Sequence, residues 1–176
     1  MIQEHGIAAL SMRKLADIVG VSRTAPYHHF KDKHALLCAI AEEGFRLQGV
    51  LISNMCDAKS ARSSYEPLEQ FVEHYIRFAI QHPAHYELMY GGTIWKHQHI
   101  SDSLKEAAHN SFKRWLQQIE HLQAQGVLTQ EESSLRIAQV TWATLHGLCR
   151  LANDGVYIDQ ENILDMGRSA VRLFLV

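Results

Sequence analysis

The sequence predicts an all-α chain in two parts, an N-terminal helix-turn-helix followed by a larger C-terminal helical bundle. Three observations predict it. Apolar residues recur every three or four positions along most of the 176 residues, the spacing of one helix face. Only three prolines and ten glycines interrupt them, which leaves room for long helices. The stretch Ser11–Leu37 reads as two short helices at an angle, then the start of a longer one.

In that stretch Ser11 is a plausible N-cap, and Met12, Leu15, Ala16 and Val19 form one apolar face. Gly20 ends the first helix with a turn that needs positive φ. Val21 is expected to plug the angle between the helices, and Ser22 to cap a second helix, Arg23 to His29. Pro26 falls early enough in that helix to be tolerated. The second helix shows solvent Arg23, Thr24, Tyr27 and His28, all able to donate hydrogen bonds and none needed for a core. Lys31 and Lys33 follow at once. A helix N-terminus beside these groups suits phosphate.

Ser11-Met12-Arg13-Lys14-Leu15-Ala16, Gly20-Val21-Ser22, Tyr27-His28-His29-Phe30 and Lys31-Asp32-Lys33 resemble the DNA-binding domain of TetR-family transcriptional regulators. The resemblance implies DNA contact by residues of the helix-turn-helix at 11–30 and just beyond: Ser11, Arg13, Ser22, Arg23, Thr24, Ala25, Tyr27, His28 and Lys33. Arg23, Thr24 and Ala25 would face bases; Tyr27, His28 and Lys33 would approach phosphates; Phe30 would close the small domain's core. One departure stands out. The family carries a full first helix before this motif, whereas only Met1 to His5 precede Gly6 here, so most of that helix is expected to be missing, with Ile2 a remnant of its apolar face.

Apolar content of 47% with 20% charged residues is ordinary globular composition. The resemblance implies a division into residues 1–45, the DNA-binding domain with its first helix truncated, and 46–176, a regulatory and dimerisation domain. No apolar run approaches the roughly 18 residues of a membrane span, and the N-terminus lacks the pattern of a secretory signal. Residues 1–33 hold five Lys/Arg against three Asp/Glu, the remainder twelve against sixteen. A basic head on an acidic body fits nucleic acid at the head. Cys38, Cys56 and Cys149 are odd in number and lack CxxC spacing, which predicts buried thiols in a reducing, cytoplasmic setting.

A long helix is predicted from Lys33 to about Asn54, with Asp32 as its cap, then a connecting loop over Asp57–Ser64. Pro67 suits the first turn of a helix striped by Leu68, Phe71, Val72, Tyr75, Phe78 and Ala79 and ended by His82-Pro83. A short helix, His85 to Tyr90, is closed by Gly91-Gly92; Thr93–Ser101 reads as irregular. Leu104, Ala108, Phe112, Trp115, Ile119 and Leu122 stripe a helix from Asp102 to Gln125, with Gly126 at C′. Residues 130–153 carry two apolar stripes and predict a helix buried on both sides, ended by Asp154-Gly155. Residues 160–174 form the last helix. Excess apolar surface on these two terminal helices predicts a homodimer through 130–153 and 160–174, which would pair two reading helices about one DNA turn apart, ~34 Å.

Trp142–Leu148 also resembles the WHG type of TetR regulatory domain. The resemblance implies a double-stranded DNA operator, repression, and an effector pocket in the body. Bundles rich in bulky aromatics with a few isolated polar groups hold apolar cavities, so the effector is expected to be small and apolar or aromatic. The lining assigned is Phe71, Tyr75, Met89, Phe112, Trp142, His146 and Cys149. His82-x-x-His85 and His97-x-His99 each supply two imidazoles, short of the three or four ligands of a tight metal site, so no metal or cofactor is assigned. No phosphate loop, GxSxG, HExxH or framed carboxylate pair is present, so no catalytic residue is assigned. The alternative reading is a dimeric helical small-molecule-binding module that has lost DNA binding with its first helix.

Overall fold

The computed structural model describes residues 7, 9–56, 65–96, 99–156 and 159–176. The first-helix remnant, the 57–64 loop, His97 and the Cys56 side chain lie outside the described residues. Among those described there are nine helices: α1 (Met12–Val19), α2 (Ala25–His29), α3 (Lys33–Cys56), α4 (Glu66–Gln81), α5 (Pro83–Tyr90), α6 (Gly92–Trp95), α7 (Asp102–Ala124), α8 (Ser134–Asn153) and α9 (Gln160–Arg172). The only extended pairing among them is a single antiparallel bridge, Leu128 to Leu175.

They form two compact units. The first holds the described residues of Met1–Phe45 and His82–Ala108, the second those of Arg46–Gln81 and His109–Val176. Residues 82–108 therefore group with the helix-turn-helix rather than with the body. Ring packing explains why. Phe45 meets Tyr90 and Trp95 edge-on at 5.2 and 6.3 Å, and the Trp95 indole N–H donates to the Met89 carbonyl at 2.6 Å. Met89 is fully buried against α3: a Cβ on Gly44 would stand 2.5 Å from its Sδ.

Several element boundaries differ from the sequence-based ones for identifiable reasons. Gly91 closes α5 as the sequence predicts, its backbone extended (φ −78°, ψ 162°), but Gly92 opens the one-turn α6, which takes the first residues of the span read as irregular. Residues 130–133 are not helical, because the Ser133 side chain caps α8 by accepting from the Arg136 N–H at 3.2 Å. The loop before that cap is tied to buried Gln123, whose amide donates to the Thr129 and Glu132 carbonyls at 2.6 and 2.9 Å. The last helix stops at Arg172, and the chain beyond it pairs with the loop instead: the Thr129 N–H donates to the Phe174 carbonyl at 2.8 Å.

In the second unit α4, α8 and α9 pack on one another. Leu68, Phe71, Val72, Tyr75 and Ile76 of α4, Trp115 and Ile119 of α7, Ile137, Leu145 and Cys149 of α8, and Ile163 and Val171 of α9 are buried. Contrary to the two-stripe reading, α8 buries one face only. Leu135, Val140 and Leu151 are 47, 42 and 38% exposed, and Thr144 is exposed with them. The apolar residues of α9 are covered or half-covered within the unit, and its open side carries Asn162, Asp165, Ser169 and Arg172. Excess apolar surface thus lies on α8 and at Leu173 and Val176, not along α9.

Close approach of α9 depends on Gly167. A Cβ there would lie 2.5 Å from Ile76 Cδ1 and 2.9 Å from Val72 Cγ1, both buried, whereas a Cβ on Gly147 meets nothing within 4 Å. Gly167→Ala is predicted to lower unfolding free energy by roughly 1–3 kcal/mol through overpacking. Gly147→Ala is predicted to leave it unchanged or raise it by up to about 1 kcal/mol through helix propensity. Urea unfolding of both variants checks the pair.

Candidate functional site

The head is built around a tight corner. Met12 and Ala16 bury one side of α1. Gly20 ends it in the left-handed region (φ 76°, ψ 29°), and the Val21 N–H donates back to the Ala16 carbonyl at 3.0 Å, the six-to-one bond of a Schellman motif. A Cβ at Gly20 would touch nothing, so the requirement for glycine there is set by the backbone alone. Ser11 starts α1 through its carbonyl, which accepts the Leu15 N–H at 2.9 Å, and not through its side chain. Val21 does not plug the corner; it is 45% exposed, because the reversal at Gly20 turns it outward. Nor does the Ser22 side chain cap the second helix. Its Oγ and Thr24 Oγ1 share a hydrogen bond at 3.1 Å, and α2 begins only at Ala25, after a turn closed by the Ala25 N–H on the Ser22 carbonyl at 2.9 Å.

None of the five residues of α2 is buried. Arg23, Thr24, Tyr27 and His28 are exposed, Tyr27 by half, and Ala25 and Pro26 are half-covered. Ser11, Arg13 and Ser22 are exposed as well, and Lys33 is half-covered. The Asp32 carboxylate accepts the Ala35 N–H at 2.8 Å and so caps α3 directly after the α2 segment; Leu36 and Leu37 then enter the core. Of the DNA-facing residues assigned from sequence, Ser22, Arg23, Thr24, Ala25, Tyr27, His28 and Lys33 therefore follow one another along a short stretch with its ends fixed, whereas Ser11 and Arg13 lie at the start of α1. Phe30 is half-covered.

One residue of this surface leaves no trace in the sequence. Asp17, on the exposed side of α1, accepts from Arg23 Nε at 3.1 Å, with the two side chains 53 and 70% exposed. A six-residue separation across a turn gives no periodic signal, and only the corner geometry joins the two.

Six of the seven residues assigned to the effector pocket lie in the second unit; Met89 lies in the first. Four of the six form a continuous aromatic cluster. Tyr75 meets Phe71 at 5.7 Å and Trp142 at 5.9 Å, and Trp142 meets Phe112 at 5.5 Å. Trp115 joins them, stacked on Phe71 at 4.5 Å. Its indole N–H is occupied by the Ala138 carbonyl and Thr141 Oγ1, both at 3.2 Å, so it belongs to the scaffold. Cys149 is buried and His146 half-buried. Phe112 and Trp142 are only partly covered, which makes them the cluster's open edge.

A cleft of about 570 Å³ lies in the first unit, lined by Lys31, Asp32, His34, Cys38, Glu42 and His99 among others. His34 Nε2 lies 3.0 Å from the His99 carbonyl and 3.5 Å from Cys38 Sγ. Burial raises the Cys38 thiol above its usual range, and Asp32 and Glu42 add to this against a backbone hydrogen bond from Ser101. The thiol is therefore a poor nucleophile at neutral pH. Among the described residues no group of three or more metal-ligating side chains is assembled.

Residues 68–174 match the family model described as the tetracyclin repressor-like C-terminal domain, and residues 1–40 match that of bacterial regulatory proteins of the tetR family. The chain belongs to the TetR family. The chain is similar to the HTH-type transcriptional repressor AcnR of Corynebacterium diphtheriae, 42% identical over 52 residues, 29% of this chain and 27% of that protein. The chain thus spans about a quarter of that relative's length. A solved protein of unknown function from Rhodococcus sp. RHA1 is 28% identical, with a TM-score of 0.82 over 99% of this chain and 90% of that one. The TetR-family regulator PfmR of Thermus thermophilus shares the fold, with a TM-score of 0.69 at 21% identity over 97% of this chain and 92% of that one. Among the described residues, no helix of this TetR-family chain is long and apolar enough to cross a membrane.

Two histidines give the TetR-family chain a signed pH dependence. Burial lowers the His146 pKa below the ordinary 6.5, with nearby Arg150 adding to it. Burial lowers that of His85 too, with His82 adding and Glu43 opposing. Both rings stay neutral in the folded chain where the unfolded chain already binds the proton, so stability falls as pH drops below about 6.5. Thermal midpoints between about pH 7.5 and pH 5 are predicted to fall, and His146→Gln to flatten the fall. A midpoint that is independent of pH, or a slope unchanged in the variant, contradicts this.

Proposed function

We propose that the chain is a homodimeric repressor that holds a palindromic double-stranded operator through α2 and lets go when a small apolar or aromatic effector enters the second unit. One observation carries the DNA half of this reading. The α2 segment fills no core, yet both its ends are fixed, by the left-handed Gly20 and by the Asp32 cap. Side chains held in place and left open are available to another molecule, and Arg23, Tyr27, His28 and Lys33 supply donors for base edges and phosphates. The repressor named among its relatives supports the sign of regulation.

Exposed Val140 and Leu151, which share one side of α8 at 3.6 residues per turn, support self-association through that helix in a two-fold arrangement. The aromatic cluster with Phe112 and Trp142 at its edge and neutral His146 nearby supports an apolar or aromatic ligand. The α3 and α7 helices each carry residues of both units, so displacement of either by a ligand is a covalent route to the head. The ligand must favour the released form by about 1–3 kcal/mol to act as a switch.

Selection from random-sequence duplexes, followed by titration of the selected duplex, tests this. The wild type is predicted to enrich a palindrome. Lys33→Ala and Tyr27→Phe are predicted to weaken binding to all duplexes, Lys33→Ala also reducing the salt slope by about 1, whereas Arg23→Ala relaxes choice at one base by about 1–3 kcal/mol. Failure to enrich any sequence removes the operator and leaves a helical ligand-binding module. Val140→Arg with Leu151→Arg, both at exposed sites, is predicted to give a folded monomer in sedimentation. A pair variant that stays dimeric moves the interface elsewhere. Trp142→Ala is predicted to abolish release by any effector found, with operator affinity kept.

A further inference from the structure

We infer that Asp17 is a positioning residue for sequence reading: it fixes the Arg23 guanidinium before DNA arrives, and so sets discrimination at the base Arg23 meets. The inference rests on the operator reading above and goes beyond it, since Asp17 belongs to α1 and touches no base in that reading.

The geometry is direct. Asp17 Oδ1 accepts from Arg23 Nε at 3.1 Å across the Gly20 corner. Asp17 lies in a helix whose opposite side, at Met12 and Ala16, is buried, so the carboxylate has a firm base. Arg23 lies in the turn ahead of α2, and among the described residues Asp17 is its one partner. The guanidinium is a planar fork of five donors, and Nε uses only one. With Nε held, the two terminal nitrogens remain as a pair, the pair that meets O6 and N7 of guanine.

Stability does not account for such a pair. Both side chains are largely exposed, and exposed ion pairs contribute little to folding. Its effect is on binding. A long exposed arginine loses rotamer freedom when it docks, and a carboxylate that has already removed that freedom reduces the loss for the correct base alone. The same carboxylate carries a negative charge toward phosphates, which weakens binding to every sequence. Asp17 thus exchanges general affinity for selectivity, and the two effects have opposite signs.

The test uses the full chain, the selected duplex and the same duplex with each half-site base replaced in turn. Discrimination is the affinity ratio between them. Arg23→Ala is predicted to lose discrimination at one position. Asp17→Ala is predicted to lose about threefold to tenfold of it at that same position, while binding to unrelated duplex tightens. Asp17→Asn keeps an acceptor oxygen and is predicted to restore most of the discrimination while retaining the tighter unrelated binding. Thermal melting controls for folding. Unchanged discrimination in Asp17→Ala overturns the inference, as does loss spread evenly over all positions, the sign of a merely structural role. Unchanged discrimination in Arg23→Ala overturns it too, because there is then no reader to position. Wild type that selects no sequence removes the operator reading itself, and this inference with it.

Discussion

A single left-handed residue sets the geometry of the head. At Gly20 the chain must turn with φ near 76°, a region that costs a residue with a Cβ about 1–2 kcal/mol. The turn closes α1 onto its own Ala16 carbonyl and throws Val21 to Arg23 outward. Everything functional in the head follows from that reversal. It places Arg23 against Asp17, leaves α2 outside the core, and lets the chain re-enter the core only at Leu36 and Leu37, past the Asp32 cap. Sequence, backbone conformation, exposure and donor chemistry form one chain of causes here.

The second unit follows a different principle. Its aromatic residues form one continuous run, touching in order from Trp115 through Phe71 and Tyr75 to Trp142 and Phe112. One end is locked by the hydrogen bonds of the Trp115 indole to Ala138 and Thr141. The other is partly open. In the proposed reading an apolar ligand would enter at that open edge, where the fixed end of the cluster keeps the ordering cost of binding low. Gly167 lets α9 approach Val72 and Ile76 closely, and so seals the α4 side of the unit.

Legibility in the sequence divides along physical lines. Helices with periodic apolar faces, such as α4 and α7, can be placed nearly to the residue, as can glycine stops at Gly20, Gly126 and Gly155, all with positive φ. The one-turn α6 cannot, because four residues carry no period. The start of α8 is misplaced from sequence because Gln130 to Ser133 are helix-tolerant residues whose backbone is held instead by Gln123. The grouping of 82–108 with the head depends on where rings from distant segments meet, at Phe45, Tyr90 and Trp95. The exposed surface of α2 is legible because it combines a fixed turn with donors that a core does not need. Its support by Asp17 is not, because exposed ion pairs across a turn leave no pattern.

The central claim is that residues 22–33 form the surface that meets DNA. Residue-resolved amide shifts of isotopically labelled protein, recorded as its selected duplex is added, test this most directly. The account predicts that the largest changes fall between Ser22 and Lys33, are much smaller in α4, α8 and α9, and weaken with an unrelated duplex. Changes centred outside that stretch, or of equal size with any duplex, would contradict it.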